Sequence, residues 1–304
     1  AMPKHQTLGK FNVLARLVRI MSQKEILEVG QELFTQEQKQ DFHSVKQTKH
    51  IQAWKVYRDA VAEAGTPASF AVIAQWIKSK QVKNSEAANL IATQVKSIRY
   101  PTKELMEKFF ELATCEEVTS QEYLNSTAIQ SLASFLGQAQ VNNHSAYSYY
   151  PTHAFGRLAP KKFTIVPKMV IPYLEQQLKK ASKHEDSHQM LVHIRALGAL
   201  AHPAILKVIE PYLEGKQHAT EFQRLAIVVS LGKLAAHYPK LARSIYFKIY
   251  QNAAERYEVR VAAIFGIMRT NPDAPMLQRM AEMANNEPSS HISSAVRSAL
   301  ESAA

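Results

Sequence analysis

Residues 191–200 read LVHIRALGAL, residues 225–234 read LAIVVSLGKL, and residues 259–268 read VRVAAIFGIM. Gly198, Gly232 and Gly266 stand 34 residues apart, and aligning the segments on them superposes an apolar pattern. Seven before the glycine is Leu191, Leu225 or Val259, and four before is Ile194, Val228 or Ala262. One before is Leu197, Leu231 or Phe265, and two after is Leu200, Leu234 or Met268. That spacing places one greasy stripe along a helix. A proline follows each segment (Pro203, Pro239, Pro272), and then a second amphipathic run begins. Those runs carry Leu206, Ile209 and Leu213, then Leu241, Ile245 and Ile249, then Leu277, Met280 and Ala284. Glycine inside a helix costs about 1 kcal/mol relative to alanine, so its recurrence predicts close packing by a neighbouring helix. Helix–turn–helix units of this period stack into solenoids, each burying its apolar side on the next. The Trp, Gly, Tyr and Pro consensus of a TPR unit is absent, so an irregular HEAT-like superhelix is the expected fold.

The same alternation runs toward the N-terminus. Phe11, Leu14, Leu17, Val18 and Met21 share a helical spacing, and Ser22 with Glu25 forms a capping box. A long helix is expected through Phe42–Ala64, with Trp54 in its stripe, stopping at Gly65. Thr66-Pro67 restarts a helix containing Trp76, with threonine as cap and proline in the first turn. Ser85-Glu86, Pro101-Thr102 and Ser120 mark further starts. No segment of comparable length alternates as a strand does. The domain reading is therefore all-α: residues 1–10 as a cloning scar and lead-in, and 11–304 as one solenoid domain. An irregular aromatic-rich loop at about 140–168 interrupts it, with Tyr147, Tyr149, Tyr150, Phe155 and Phe163.

The chain has 304 residues, 37 Lys and Arg against 26 Asp and Glu, and a formal charge of +11. That balance favours anionic partners such as phospholipid surfaces, sulfated polymers, acidic proteins or nucleic acid. No apolar run reaches the roughly 18 residues that cross a bilayer. Ala1-Met2-Pro3-Lys4 lacks the pattern of a signal peptide, and the chain reads as a piece of a longer protein. Cys115 is the single cysteine and cannot form an internal disulfide.

Catalysis finds no foothold. His184-Glu185-Asp186-Ser187-His188 matches the zinc-protease pattern, and His193 is a third imidazole nearby. That chemistry needs both histidines on one helix face in a sheltered site. Here the motif follows the cationic run 179–183 and reads as a linker between helices, so these three are weak metal candidates and no metal is expected. Phosphate cradles and nucleophile elbows are missing, and Cys115 reads as a helix-end packing residue. Asn143-His144-Ser145 and Asn125-Ser126-Thr127 are glycosylation sequons; Asn143 lies in a loop, Asn125 within a helical pattern.

Several ordered segments resemble the helical domain of insect-type vitellogenins, within the large lipid transfer protein family. They include Glu63-Ala64-Gly65-Thr66-Pro67, Ile98-Arg99-Tyr100-Pro101-Thr102 and Phe109-Phe110-Glu111-Leu112-Ala113. Tyr150-Pro151-Thr152-His153, Ile194-Arg195-Ala196-Leu197-Gly198, Glu210-Pro211-Tyr212-Leu213 and Met268-Arg269-Thr270-Asn271-Pro272 continue the series. The resemblance implies a two-layer horseshoe of helical hairpins wrapping β-sheets that enclose lipid. It implies a scaffold share in a secreted lipoprotein that becomes oocyte yolk: lipid transport and nutrient reservoir, without enzymatic activity or a cofactor. Lipid would be held by the parent protein and not by this chain alone. The expected partners are the β-sheet cavity domains of the same polypeptide. A receptor, an anionic membrane and a second copy of the chain are further candidates, and no specific nucleic acid is expected. The alternatives are an apolipophorin, a microsomal lipid-transfer subunit, or a HEAT-type adaptor gripping peptides.

Overall fold

The computed structural model describes residues 5–38, 45–98, 101–140 and 164–303. Among these residues the protein is helical throughout, with no strand. They form two compact units, one up to Phe135 and one from Leu136 onward.

The first unit contains α1 (His5–Ile20), α2 (Gln23–Gln38), α3 (Val45–Ala64), α4 (Pro67–Lys78), α5 (Asn84–Ser97), α6 (Lys103–Thr114) and the single turn α7 (Glu116–Thr119). Most of α8 (Glu122–Ala139) belongs with them. Helices α1, α3 and α5 pack side by side, while α2 and α4 pair on the other side of α3. The capping box at Ser22 forms: its amide donates to Glu25 Oε2 at 2.7 Å, and the Glu25 amide donates back to Ser22 Oγ at 3.3 Å. Thr66 caps α4 with Pro67 in the first turn. Gly65 ends α3 at φ +66°, with its Cα held against the Ser97 carbonyl so that a Cβ there would lie 2.1 Å from that oxygen. Only glycine suits both the left-handed backbone and that approach. Trp54 and Trp76 are core residues, with ring centroids 5.0 Å apart and Phe34 edge-on to Trp54. Phe70, Phe109 and Phe135 continue the aromatic spine across α4, α6 and α8.

Two expectations shift here. Helix α1 begins at His5, inside the segment read as lead-in. Helix α5 begins at Asn84, one residue before the expected cap; Lys83 is its N-cap without a side-chain bond, and the Asn84 amide instead donates to Gln121 Oε1 at 2.8 Å. The start signal was supplied by another helix end and so was invisible locally.

In the second unit a π turn (Val166–Val170) leads into α9 (Ile171–Lys183). Then come α10 (Ser187–Leu200), α11 (Leu206–Leu213), α12 (Glu221–Ser230), α13 (Gly232–His237), α14 (Pro239–Gln251), α15 (Tyr257–Met268), α16 (Ala274–Asn285) and α17 (Ser290–Glu301). Each hairpin contributes one helix to each of two layers. The first helices, α10, α12, α15 and α17, pack consecutively side by side. The second helices, α9, α11, α14 and α16, lie behind them. Tyr246 of α14 donates to the Val228 carbonyl of α12 at 3.5 Å, and Tyr250 donates to the Met280 carbonyl of α16 at 3.4 Å. The expected prolines do their work: Pro239 opens α14 and Pro272 precedes α16, whose cap is Asp273.

The glycine register holds for two repeats and fails for the third. Ile194, Leu197 and Leu200 of α10 are buried, as are their equivalents Val228, Leu231 and Leu234. In α15 the buried face is Val259, Ala263, Ile264 and Ile267, two residues later in register, while Phe265 is 45% exposed. The residue equivalent to Gly232 is therefore Met268, not Gly266. The three glycines also do different things. A Cβ on Gly198 would lie 2.6 Å from the Ser230 carbonyl oxygen, a true backbone approach. One on Gly266 would meet the Tyr246 ring at 2.6 Å. One on Gly232 would meet nothing closer than 3.8 Å, because Gly232 sits just after the break between α12 and α13. Gly137, unremarked in the sequence, makes a closer approach than any of the three, with a Cβ position 2.1 Å from the Ala199 carbonyl oxygen.

Candidate interaction surfaces

The zinc-protease pattern is split between two helices. His184 caps the C-terminus of α9, Glu185 turns the chain at φ +54°, and Asp186 accepts from the Gln189 amide as N-cap of α10. His184 and His188 are both exposed, on opposite sides of the turn, whereas His193 is buried and donates through Nδ1 to the Gln189 carbonyl at 2.7 Å. Among the described residues no three His, Cys, Asp or Glu side chains converge as a metal set. Cys115 lies between α6 and α7, half-buried, its thiol pushed up by burial.

Of the sequons, Asn143 lies outside the described residues. Asn125 is on α8 and half-buried, with its Oδ1 sealed and unbonded, as is the neighbouring Ser126 Oγ. The aromatics of the interrupting loop also lie outside the described residues, but its last turn packs inward through Ile165 and Val166.

Arginine work was missed by sequence reading. Arg260 of α15 is 5% exposed and grips Glu287 through both carboxylate oxygens, at 3.1 and 2.5 Å. Its Nε donates to the Tyr250 carbonyl at 2.9 Å. One repeat earlier, Arg224 of α12 pairs with buried Glu255 at 2.7 Å. In the first unit Arg58 of α3 reaches Glu86 of α5 at 3.0 Å. Other arginines cap neighbouring helix ends: Arg19 donates to the Ala64 and Glu63 carbonyls, Arg243 to those of Thr270 and Asn271. Cations suit the negative ends of helices. Much of the arginine charge is thus internal, and the outer basic character falls to lysine.

Within the first-helix layer of the second unit, the outer faces of α12 and α15 are apolar. Phe222 and Val229 of α12 are 60% and 63% exposed, and Phe265 and Tyr257 of α15 are 45% and 42% exposed. They fall opposite the buried stripe of each helix, with half-buried Leu225 and Val261 between them. An open groove of about 460 Å³ lies at the α15–α17 end, lined by Phe265, Met268, Leu277 and Ala299 among others. Contiguous apolar surface of this kind on a folded unit marks an interaction site. Among the described residues no helix is long and apolar enough to cross a membrane.

These features define a helical-hairpin repeat protein with an exposed apolar face on α12 and α15. The chain belongs to the vitellogenin TPR domain family, whose model matches residues 1–301. It is similar to Vitellogenin-A1 of Aedes aegypti, with 47% identity over all of the chain and 14% of the relative. It is 41% identical to Vitellogenin of Anthonomus grandis, over 98% of the chain and 16% of the relative. The chain thus spans about one-seventh to one-sixth of these relatives. A solved lipovitellin, titled for its lipid–protein interactions, shares the fold with TM-score 0.72 at 16% identity, over 96% of this chain and 30% of that one. The family's name says TPR, and the helical-hairpin repeat here is irregular: Gly198 to Gly232 spans 34 residues, Gly232 to its structural equivalent Met268 spans 36, and the TPR consensus residues are missing.

Proposed function

We propose that this chain is the helical scaffold domain of a secreted, lipid-carrying yolk storage protein, acting in lipid transport and as a nutrient reservoir. The observation that carries the reading is the apolar outer face of α12 and α15. A solvent-facing row containing Phe222, Val229 and Phe265 is stabilised when another surface covers it, by about 25 cal/mol for each Å² of apolar area removed from water. The family and the short span of the relatives that it matches support the rest of a longer polypeptide as that cover, namely β-sheet domains that hold the lipid. In this reading the chain has no catalytic role and binds no cofactor of its own. The parent is secreted and glycosylated at Asn143 in preference to Asn125, whose amide is half-buried. Its basic faces stay open to a receptor, an anionic membrane or other anionic ligands, and a second copy is a further partner.

Thiol labelling tests this. Val229→Cys and Phe265→Cys, in a Cys115→Ala background, label rapidly in the isolated chain and slowly in the whole parent protein. Equal labelling in both would overturn the covered-face reading. The isolated chain is also expected to purify without bound neutral lipid. Recovery of stoichiometric triglyceride with it would place the lipid site here instead.

A further inference from the structure

The second-helix layer of the second unit presents a different chemistry on its outer side. Lys180 and Lys183 project from α9, Lys207 from α11, and Lys240 and Lys248 from α14, all exposed. Lys168 precedes them on the π turn. None of these six has a carboxylate ion-pair partner among the described residues, and the nearby pairs Lys179–Glu175 and Lys216–Glu214 add cations already compensated. Each of these helices stacks on a member of the first-helix layer, α9 on α10, α11 on α12 and α14 on α15. Tyr212 of α11 lies in the field of Glu175 of α9, and Glu214 at the end of α11 lies in that of Lys248 of α14. The first helices beneath them, α10, α12 and α15, pack consecutively, and packed helices sit about 8–10 Å apart, comparable to the roughly 10 Å over which charges are felt at 0.1 M salt.

We propose that the outer face of α9, α11 and α14 is a docking track for a linear sulfated polysaccharide. The charge is complementary, and its arrangement selects among polyanions. The cations are lysines, which act as point charges, while the nearby arginines are engaged: Arg243 on carbonyls and Arg279 over the Phe247 ring. Of the aromatics on these three helices Tyr212, Tyr246, Phe247 and Tyr250 are buried and Tyr173 is half-buried, so none projects freely to stack a nucleic-acid base. Large apolar side chains that would enter a bilayer are concentrated on the opposite layer, and here only Met169 and Leu241 are exposed, the latter at 38%. A row of fixed positive charges without apolar anchors fits a flexible chain of sulfates laid across the helices.

The inference rests on the scaffold reading only in requiring this layer to remain open. The test uses the 304-residue chain and a heparin oligosaccharide as probe. The variant Lys180→Gln/Lys183→Gln/Lys207→Gln/Lys248→Gln is compared with Lys24→Gln/Lys55→Gln/Lys83→Gln/Lys96→Gln, which removes the same charge from the first unit. Circular dichroism melts confirm that both remain folded. Affinity should fall at least tenfold in the first variant and less than twofold in the second. Wild-type affinity should drop about 10³-fold between 50 and 200 mM salt if some six contacts form. Equal weakening in both variants would reduce the effect to net charge and overturn the track. So would unchanged heparin affinity in the first variant. Loss of phosphatidylserine-vesicle binding alone, with heparin binding intact, would overturn it in favour of a bilayer. Any of these failures leaves the thiol-labelling result, and with it the scaffold reading, standing.

Discussion

Replacing Arg260 with alanine should destabilise the second unit far more than its surface neighbours would. The guanidinium is 5% exposed and makes one bond to the Tyr250 carbonyl and two to Glu287. Its removal leaves the Glu287 carboxylate, 9% exposed, with only the Ser289 amide at 3.2 Å. An uncompensated buried charge costs about 3–5 kcal/mol, whereas replacing both partners by apolar residues of similar size is close to neutral. The assay is urea denaturation followed by far-ultraviolet circular dichroism. Tryptophan fluorescence would not serve, because Trp54 and Trp76 both lie in the first unit. Arg260→Ala and Glu287→Ala should each lose about 3 kcal/mol or more, and Arg260→Met/Glu287→Leu should recover most of it. The pair also has a pH signature. Arg260 holds the Glu287 carboxyl below the usual carboxylate range, so its stabilisation is present above the unfolded value and disappears as pH falls through the folded one. Single variants that lose less than about 1 kcal/mol, or that add without coupling, would refute the account of a buried, mutually dependent pair.

Glycine substitutions separate the repeat positions: Gly198→Ala should destabilise strongly because the Ser230 carbonyl is 2.6 Å from the new methyl. Gly232→Ala should be neutral or stabilise by up to about 1 kcal/mol, and equal losses at both would show that the register assigned here is wrong. Buried His193 and half-buried His202 are held below the usual histidine value by desolvation. Above about 6.5 they are neutral in both states, and as pH falls the unfolded chain protonates first, so stability should decline below that point. His202→Asn keeps an acceptor for the Ala204 amide, now bonded to Nδ1 at 3.1 Å, and should flatten part of that decline. Added zinc should leave the melting temperature unchanged, since His184 and His188 flank a turn; a rise abolished by His184→Ala would contradict this.

Local chemistry was enough to determine a great deal. Helix starts at Ser22, Thr66 and Thr102, the stop at Gly65 and the hairpin prolines all depend on groups within a few residues of one another, and the structure uses them as read. The core tryptophans follow from helical period alone. Ordered motifs carried the family, because matches strung along a whole chain are far harder to produce by chance than any one of them. What tertiary structure decided depends on partners distant in sequence. Gln121 supplies the start of α5, and Glu287 and Glu255 consume Arg260 and Arg224. The third repeat turns by two residues so that Phe265 faces outward and Ile267 inward. A one-dimensional pattern records how greasy a helix face is, but the side that meets a neighbour is set by which rotation packs best. That rotation separates an apolar layer from a lysine layer, and it exists only once the helices are stacked.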